Sequence, residues 1–316
     1  MVHQMPKIYI AGHRGMVGSA LLRTAKQRGY SEILTRTHQQ LDLLNSAEVD
    51  KYFEAAKPDW VFLAAAKVGG IYANDTYRAD FLLENLKIQN NVIESAYRHN
   101  ASKLLFLGSS CIYPKNAPQP IKETDLLTSE LESTNEPYAI AKIAGIKLCG
   151  AFNSQYGTNY ISVMPSNLYG IGDNYHPENG HVLPMLLRRF HEAKLNHDQA
   201  VTVWGTGKPK REFLFADDMA EACFYLMENY QAADIGELIN IGTGEEISIR
   251  DLAYLIKKVV GFNGEIVFDT TKKDGTMLKK MDVSRLEKLG WKYTTTLEQG
   301  IRETYYDFIN NPDVRL

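Results

Sequence analysis

Along the first half of the chain, short apolar runs alternate with longer stretches in which apolar positions recur every three or four residues. KIYIAG (Lys7–Gly12), EILTRT (Glu32–Thr37), DWVFLAAA (Asp59–Ala66), KLLFLGSS (Lys103–Ser110) and YISVMPSN (Tyr160–Asn167) are continuous rather than alternating runs. That pattern suits strands covered on both faces. Between them, Met16–Arg28, Ser46–Ala56, Ala79–His99 and Glu136–Tyr156 carry the period of amphipathic helices. Repeated strand–helix units predict an α/β fold built on a doubly wound parallel sheet of Rossmann type, with right-handed crossovers.

Past Asn167 the rhythm changes. LYGIGDNYHPENGH is rich in Gly, Asn and Pro and reads as a long loop. A helix over Val182–Lys194 follows, then VTVWGTGKPKREFLFADD, read as strand–turn–strand ending at a helix cap. Asp217 or Asp218 is expected to cap the helix Met219–Asn229. A strand in Leu238–Gly244, the helix SIRDLAYLIKKVVG, a strand near Glu265–Asp269 and two terminal helices complete the pattern.

Composition narrows the function. The 316 residues carry 35 Lys+Arg against 38 Asp+Glu, a net charge of -3, so no basic excess exists to neutralise nucleic-acid phosphates. Cys111, Cys149 and Cys223 are widely spaced, with no CxxC or Cys/His spacing, so neither a disulfide framework nor a metal site is expected. MVHQMPKIYIAG lacks the features of a secretory leader. No apolar run approaches the ~20 residues that span a bilayer. A cytoplasmic protein without a membrane partner is the expectation.

The candidate chemistry begins at IYIAGHRGMVGSAL, where Gly12, Gly15 and Gly18 separate the first strand from the first helix. Glycines there permit a tight turn, close approach of a pyrophosphate and close helix–strand packing, with the anion at the helix N-terminus. The spacing is GxxGxxG rather than GxGxxG. The second strand, where an acid would bond the 2′-hydroxyl of NAD, reads LTRTHQQ with Arg36 and no carboxylate. With Arg14 in the turn itself, two guanidiniums favour the 2′-phosphate of NADP(H). Tyr138 and Lys142 stand four apart in NEPYAIAKIAG and so share one helix face. An ammonium beside a phenol is expected to lower its pKa, fitting Tyr138 for acid–base work, with Ser109 able to bond the same oxygen.

In order and spacing, GHRGMVG, LGSSCIYP and NEPYAIAK resemble the extended short-chain dehydrogenase/reductases. LAAAKVGGI, NLYG, LLRRFHEA and DGT extend the likeness from Lys7 to about Tyr305. Within that superfamily it is nearest to enzymes that invert C3 and C5 of GDP-4-keto-6-deoxy-D-mannose and then reduce the 4-ketone, giving GDP-L-fucose. The resemblance implies Cys111 as the epimerisation base and His181 of ENGHVLP as the acid. It implies Tyr138 as proton donor in the reduction, Lys142 as its tuner and Ser109 as holder of the carbonyl oxygen. It lends the cofactor Gly12, His13, Arg14, Gly15, Met16, Val17, Gly18, Arg36, His38, Ala65, Leu107, Gly108, Ser109, Lys142, Pro165, Asn167, Leu168 and His181. For the GDP-sugar it points to Asn167, Arg189, Trp204, Arg211, Asp274 and Lys279, the last within a basic run that includes Lys272 and Lys273.

Two departures stand out: His38 where relatives often carry Arg, and Met277–Leu278 where they carry Pro–Arg. The expected organisation is an NADP-binding domain over 1–167, with returns near 213–242, and a smaller, mainly substrate-binding domain over 168–316. A homodimer joined through Ala79–His99 and Glu136–Tyr156 is also implied by resemblance. Two rivals remain open at this level, a 4-epimerase that recycles bound NAD and a cofactor-sensing regulator that has lost catalysis.

Overall fold

The computed structural model describes residues 5–177, 180–272 and 274–315, apart from the side chains of 71 and 72. Residues 178 and 179 of the glycine-rich loop, and Lys273 of the basic run, lie outside that set. Six parallel strands form the central sheet in the order β2–β1–β3–β4–β5–β10. In chain order, β1 is Ile8–Ala11, β2 Ile33–Leu34, β3 Trp60–Leu63, β4 Lys103–Leu107 and β5 Tyr160–Pro165. Outside the sheet follow β6 (Asn167–Tyr169), β7 (Ala200–Trp204), β8 (Lys210–Arg211) and β9 (Phe213–Phe215), after which β10 (Ile239–Ile241) returns to it. The order reverses between β1 and β3, which places a crevice at the carboxyl ends of these strands.

Both faces of the sheet are covered, as the unbroken apolar runs require. Ile8 and Ile10 of β1 pack into one buried cluster and Tyr9 and Ala11 into another. Leu105 and Leu107 of β4 divide from Leu104 and Phe106 in the same way. On the first face, the helix Met16–Gln27 buries Gly18, Ala20, Leu21, Thr24 and Ala25, spaced to make one stripe. It lies against the helix Ala216–Asn229. Arg23 clamps the two helices through both oxygens of Asp217, each at 2.8 Å, and Tyr30 donates to Glu228 at 2.8 Å. On the second face lie the helices Ser46–Ala56, Arg78–Arg98 and Glu136–Tyr156.

Three features depart from the sequence pattern. Asp217 and Asp218 do not cap their helix, which starts at Ala216 with Phe215 as N-cap. Arg23 draws Asp217 away, and Asp218 accepts from the backbone N–H groups of Thr294 and Thr295. The stretch read as strand–turn–strand forms no hairpin. β7 pairs in parallel with β12 (Glu265–Asp269), whereas β8 lies between β11 (Ile247–Ser248) and β13 (Leu278–Lys279), and β9 pairs with β6. A short helix, Ile71–Thr76, fills a segment to which the periodicity assigned no element. The outer part has its own core, in which Tyr169, Leu187, Phe190, Val203, Leu252 and Ile256 are buried together. Among the described residues no helix is long and apolar enough to cross a membrane.

One buried acid stands in the loop that leads to His181. Asp173 is 3% exposed, and its Oδ2 has no hydrogen-bond partner among the described residues, while Oδ1 accepts from the N–H of Asn174 at 2.7 Å. Burial pushes its carboxyl up to about 7 from an ordinary value of 3.8. The folded state therefore holds this proton more tightly than the unfolded chain does, and the stability it contributes below pH 4 is lost as pH rises through 7. Asp173→Asn keeps the acceptor and removes the charge. It is expected to raise the unfolding midpoint at pH 8 but hardly at pH 4, with a gain of up to about 4 kcal/mol, read from denaturation curves at the two pH values.

Candidate active site

The turn after β1 is fixed by contacts that only glycine permits. Gly12 has φ +87°, and a Cβ there would lie 2.7 Å from the backbone of Ala65; a Cβ on Gly18 would lie 2.0 Å from the carbonyl oxygen of Gly12. The following helix begins at Gly15 with no side-chain cap and no acid in its first turn, leaving its positive end open to an anion. A dinucleotide's pyrophosphate fits that cradle. Arg14 and Arg36 are both exposed, and neither forms an ion pair among the described residues. The Arg36 guanidinium lies 5.0 Å from the centre of the Tyr52 ring. His38 is exposed and 3.7 Å from Asp42. Pro165 and Leu168 lie on β5 and β6 beside the strand ends.

At the carboxyl end of β4 the chain turns through Gly108, where a Cβ would meet the Met164 side chain at 1.8 Å, into a single 3₁₀ turn over Ser110–Ile112. Ser109 caps that turn, its hydroxyl accepting from the N–H of Cys111 at 3.5 Å. Ser109 also acts on the titration of both the Cys111 thiol and the Tyr138 phenol, which makes the three residues neighbours. Tyr138 is half-buried, its ring edge-on to that of Phe81 at 6.3 Å. Lys142, one helical turn on, is buried and donates from Nζ to the carbonyl oxygen of Leu107 at 2.9 Å.

Electrostatically the cluster differs from the expectation. Burial pushes the Tyr138 phenol up, the neighbouring Cys111 adds to the rise, and the Ser109 hydrogen bond opposes both. The anticipated lowering by Lys142 is absent, because that ammonium is held at the strand carbonyl and lies 5.8 Å from the centre of the Tyr138 ring. Burial brings Lys142 itself down to about 8. The Cys111 thiol is also pushed up by burial; of the influences drawing it back, Lys279 is the strongest, ahead of Ser109 and Lys142. His181 is the N-cap residue of the helix Val182–Leu195, with its imidazole pushed down by crowding. It is not among the groups that act on Cys111.

The facing wall gathers the remaining cations. Arg189 stacks 4.6 Å from the centre of the Trp204 ring, with Lys272 at 5.8 Å. Arg211 sits directly across the β8–β13 ladder from Lys279 and donates to the carbonyl of Thr276 at 2.6 Å. Asp274, expected at the sugar, spends both oxygens on Thr206, at 2.9 Å on its N–H and 2.6 Å on its hydroxyl. Asn167 donates to the carbonyl of Glu212 at 2.8 Å. Glu212 itself escaped the motif reading; its signal was a charge set into the apolar run EFLF. A hollow of about 680 Å³ against the last helix, lined by Ile171, Arg302 and Tyr306 among others, holds none of these groups.

Known proteins resemble this chain over nearly its whole length. Residues 8–242 match the description of the NAD dependent epimerase/dehydratase family. A curated relative, GDP-L-fucose synthase 1 of Arabidopsis thaliana, is 56% identical over 311 residues, covering 98% of this chain and 95% of its own. A GDP-L-fucose synthetase from Naegleria fowleri bound to NADP superposes with a TM-score of 0.93 at 31% identity, covering 100% of this chain and 96% of its own. A GDP-mannoheptose C4 reductase from Campylobacter jejuni with NADP bound gives 0.89 at 42%, covering 98% and 100%. The chain belongs to the NAD dependent epimerase/dehydratase family, within the extended short-chain dehydrogenase/reductases. Inside that family it groups with the GDP-L-fucose synthases.

The influence of Lys279 on Cys111 can be checked without substrate. Removing the cation in Lys279→Met raises the thiol pKa, so alkylation of Cys111 by iodoacetamide at pH 8 is expected to slow several-fold. Mass spectrometry separates this site from Cys149 and Cys223, which are 1% and 0% exposed.

Proposed function

We propose that the chain converts GDP-4-keto-6-deoxy-D-mannose to GDP-L-fucose, using NADPH, at the cleft between the β4 end and the β8–β13 wall. The observation that carries the reading is the gathering of Ser109 and Cys111, past the end of β4, with Tyr138 and Lys142 on the helix that Lys142 ties to that strand end, in a chain so close to the GDP-L-fucose synthases. Two different proton-transfer groups then address one sugar ring.

The 4-ketone acidifies the protons on C3 and C5 by delocalising the carbanion onto its oxygen. The Cys111 thiolate takes such a proton, and His181 returns one from the opposite face, inverting the carbon; its lowered pKa makes the protonated imidazole a stronger acid but a less populated one. Burial alone would keep the thiol protonated; Lys279, Ser109 and Lys142 act against that. Ser109 holds the carbonyl oxygen, and Tyr138 protonates it as C4 is reduced. Lys142, anchored at the β4 end, fixes the helix face that carries Tyr138. The Gly12–Gly18 turn would hold the pyrophosphate of NADPH and Arg14 and Arg36 its 2′-phosphate, and the cofactor would supply the hydride. Arg189, Arg211 and Lys279 take the pyrophosphate of the GDP-sugar, with Trp204 stacked behind Arg189. The exposed Leu83, Ile140 and Tyr156, on the two long helices, suit pairing of two copies of the chain.

A plain C4 reductase is the second reading, favoured by the likeness to the C4 reductase. Turnover in deuterated water separates the two. Oxidation of NADPH with deuterium at C3 and C5 of a GDP-L-fucose product is the expected result, and oxidation without deuterium leaves the reductase. Cys111→Ala is expected to abolish exchange at C3 and C5. Tyr138→Phe should slow reduction by roughly 10²- to 10⁴-fold while exchange continues, which NMR of the recovered sugar nucleotide reports.

A further inference from the structure

Glu212 stands between Arg211 and the apolar strand β9, and it is 0% exposed. An ionised carboxylate withdrawn from water is costly unless its lone pairs are matched. Here they are matched by backbone. Oε1 accepts from the N–H groups of Thr243 at 2.7 Å and Gly244 at 3.0 Å, and Oε2 accepts from Met281 at 2.8 Å. Burial pushes its pKa up, and these three bonds, with a smaller contribution from the charge of Lys280, oppose that rise without cancelling it. No cation pairs with it among the described residues, so the group is spent on holding three stretches of chain together.

Two of those stretches carry the cations assigned to the substrate, and a third residue is tied through the backbone of Glu212. Arg211 is the preceding residue, Met281 lies two beyond Lys279, and the backbone carbonyl of Glu212 anchors Asn167. The ladder that sets Arg211 beside Lys279 has only two residue pairs, Leu278↔Lys210 and Lys279↔Arg211. Two pairs are far too few to fix a register unaided. The Glu212–Met281 bond is the next fastening along it. The space for the carboxylate is also built in: a Cβ on Gly242 would lie 1.9 Å from Oε1.

We propose that Glu212 is a positioning residue for the GDP-sugar: it locks β8 against β13 and so sets the spacing of Arg211 and Lys279 across the pyrophosphate. The inference rests on the assignment of those two cations to the substrate made above. A glutamine at this position must turn an NH₂ toward at least one backbone N–H, so Glu212→Gln breaks a fastening with little change in volume. Gly242→Ala displaces the same carboxylate from its other side and leaves the charge intact.

The test is titration of GDP and of NADPH, separately, into wild-type protein and both variants, together with steady-state kinetics on the keto-sugar. The expected result is a GDP dissociation constant and a keto-sugar KM raised tenfold or more, with kcat within threefold and NADPH affinity unchanged. A general loss of structure would weaken GDP and NADPH together, and that outcome overturns the proposal. So does a folded variant of either kind with wild-type GDP affinity. If Glu212→Gln fails to fold, Gly242→Ala decides alone. Wild-type protein that binds GDP without turning over the keto-sugar counts against the reaction while leaving the comparison of variants decisive. Wild-type protein that binds no GDP overturns both.

Discussion

The contact on which the site depends is the bond from Lys142 to the carbonyl of Leu107. A lysine ammonium without water is expensive, and this one is held at the exit of the central strand by a single strong acceptor with the Phe106 ring beneath it at 4.9 Å. That bond joins the helix Glu136–Tyr156 to the end of β4. Tyr138, on the same helix face, and Ser109 and Cys111, just past the strand end, acquire a fixed relation through it. The helix approaches closely enough because Gly145 leaves room for Phe106; a Cβ there would lie 2.3 Å from the ring. A glycine, a buried cation and a strand carbonyl thus do the work of aligning chemistry that sequence scatters over thirty residues.

The second constraint is at β1, where Gly12 and Gly18 let the first helix meet the strand with no side chain between them. The open helix end that results carries partial positive charge with no acid to quench it. The same sheet thus presents an open helix end past β1 and the Ser109, Cys111 and Tyr138 side chains past β4, two strands away.

How much of this was legible in the sequence differs between the two halves. The central strands and their helices were plain, because burial on both faces leaves long apolar runs and the helices keep one stripe. The strand expected near Glu265–Asp269 lies there. Partnerships were not legible in the outer part, where β7, β8 and β9 follow one another closely and join three different sheets. Nothing local in VTVWGTGKPKREFLF states that. Asp217 and Asp218 looked like caps because both precede an apolar helix, but Arg23 and the Thr294–Thr295 backbone, distant in sequence, claimed them. The Tyr138 environment was misjudged for a related reason. A four-residue spacing fixes which face Lys142 occupies, not where its ammonium finds an acceptor.

The outer wall of the cleft is fastened by remarkably little backbone pairing in comparison with the central sheet. β8, β11 and β13 contribute two residues each, and the strap from Asp274 to Thr206 is a side-chain tie. Segments with so few ladder bonds open locally at a small fraction of the free energy needed to unfold the sheet. The protein therefore has a half tied by a six-stranded sheet and a half tied more weakly, by short ladders and side chains. A doubly charged ligand spanning the wall contributes most of its stabilisation to that weaker half. Hydrogen exchange in β8, β11 and β13 would then be a gauge of occupancy, responding to a ligand on that wall well before the melting of the central sheet is affected.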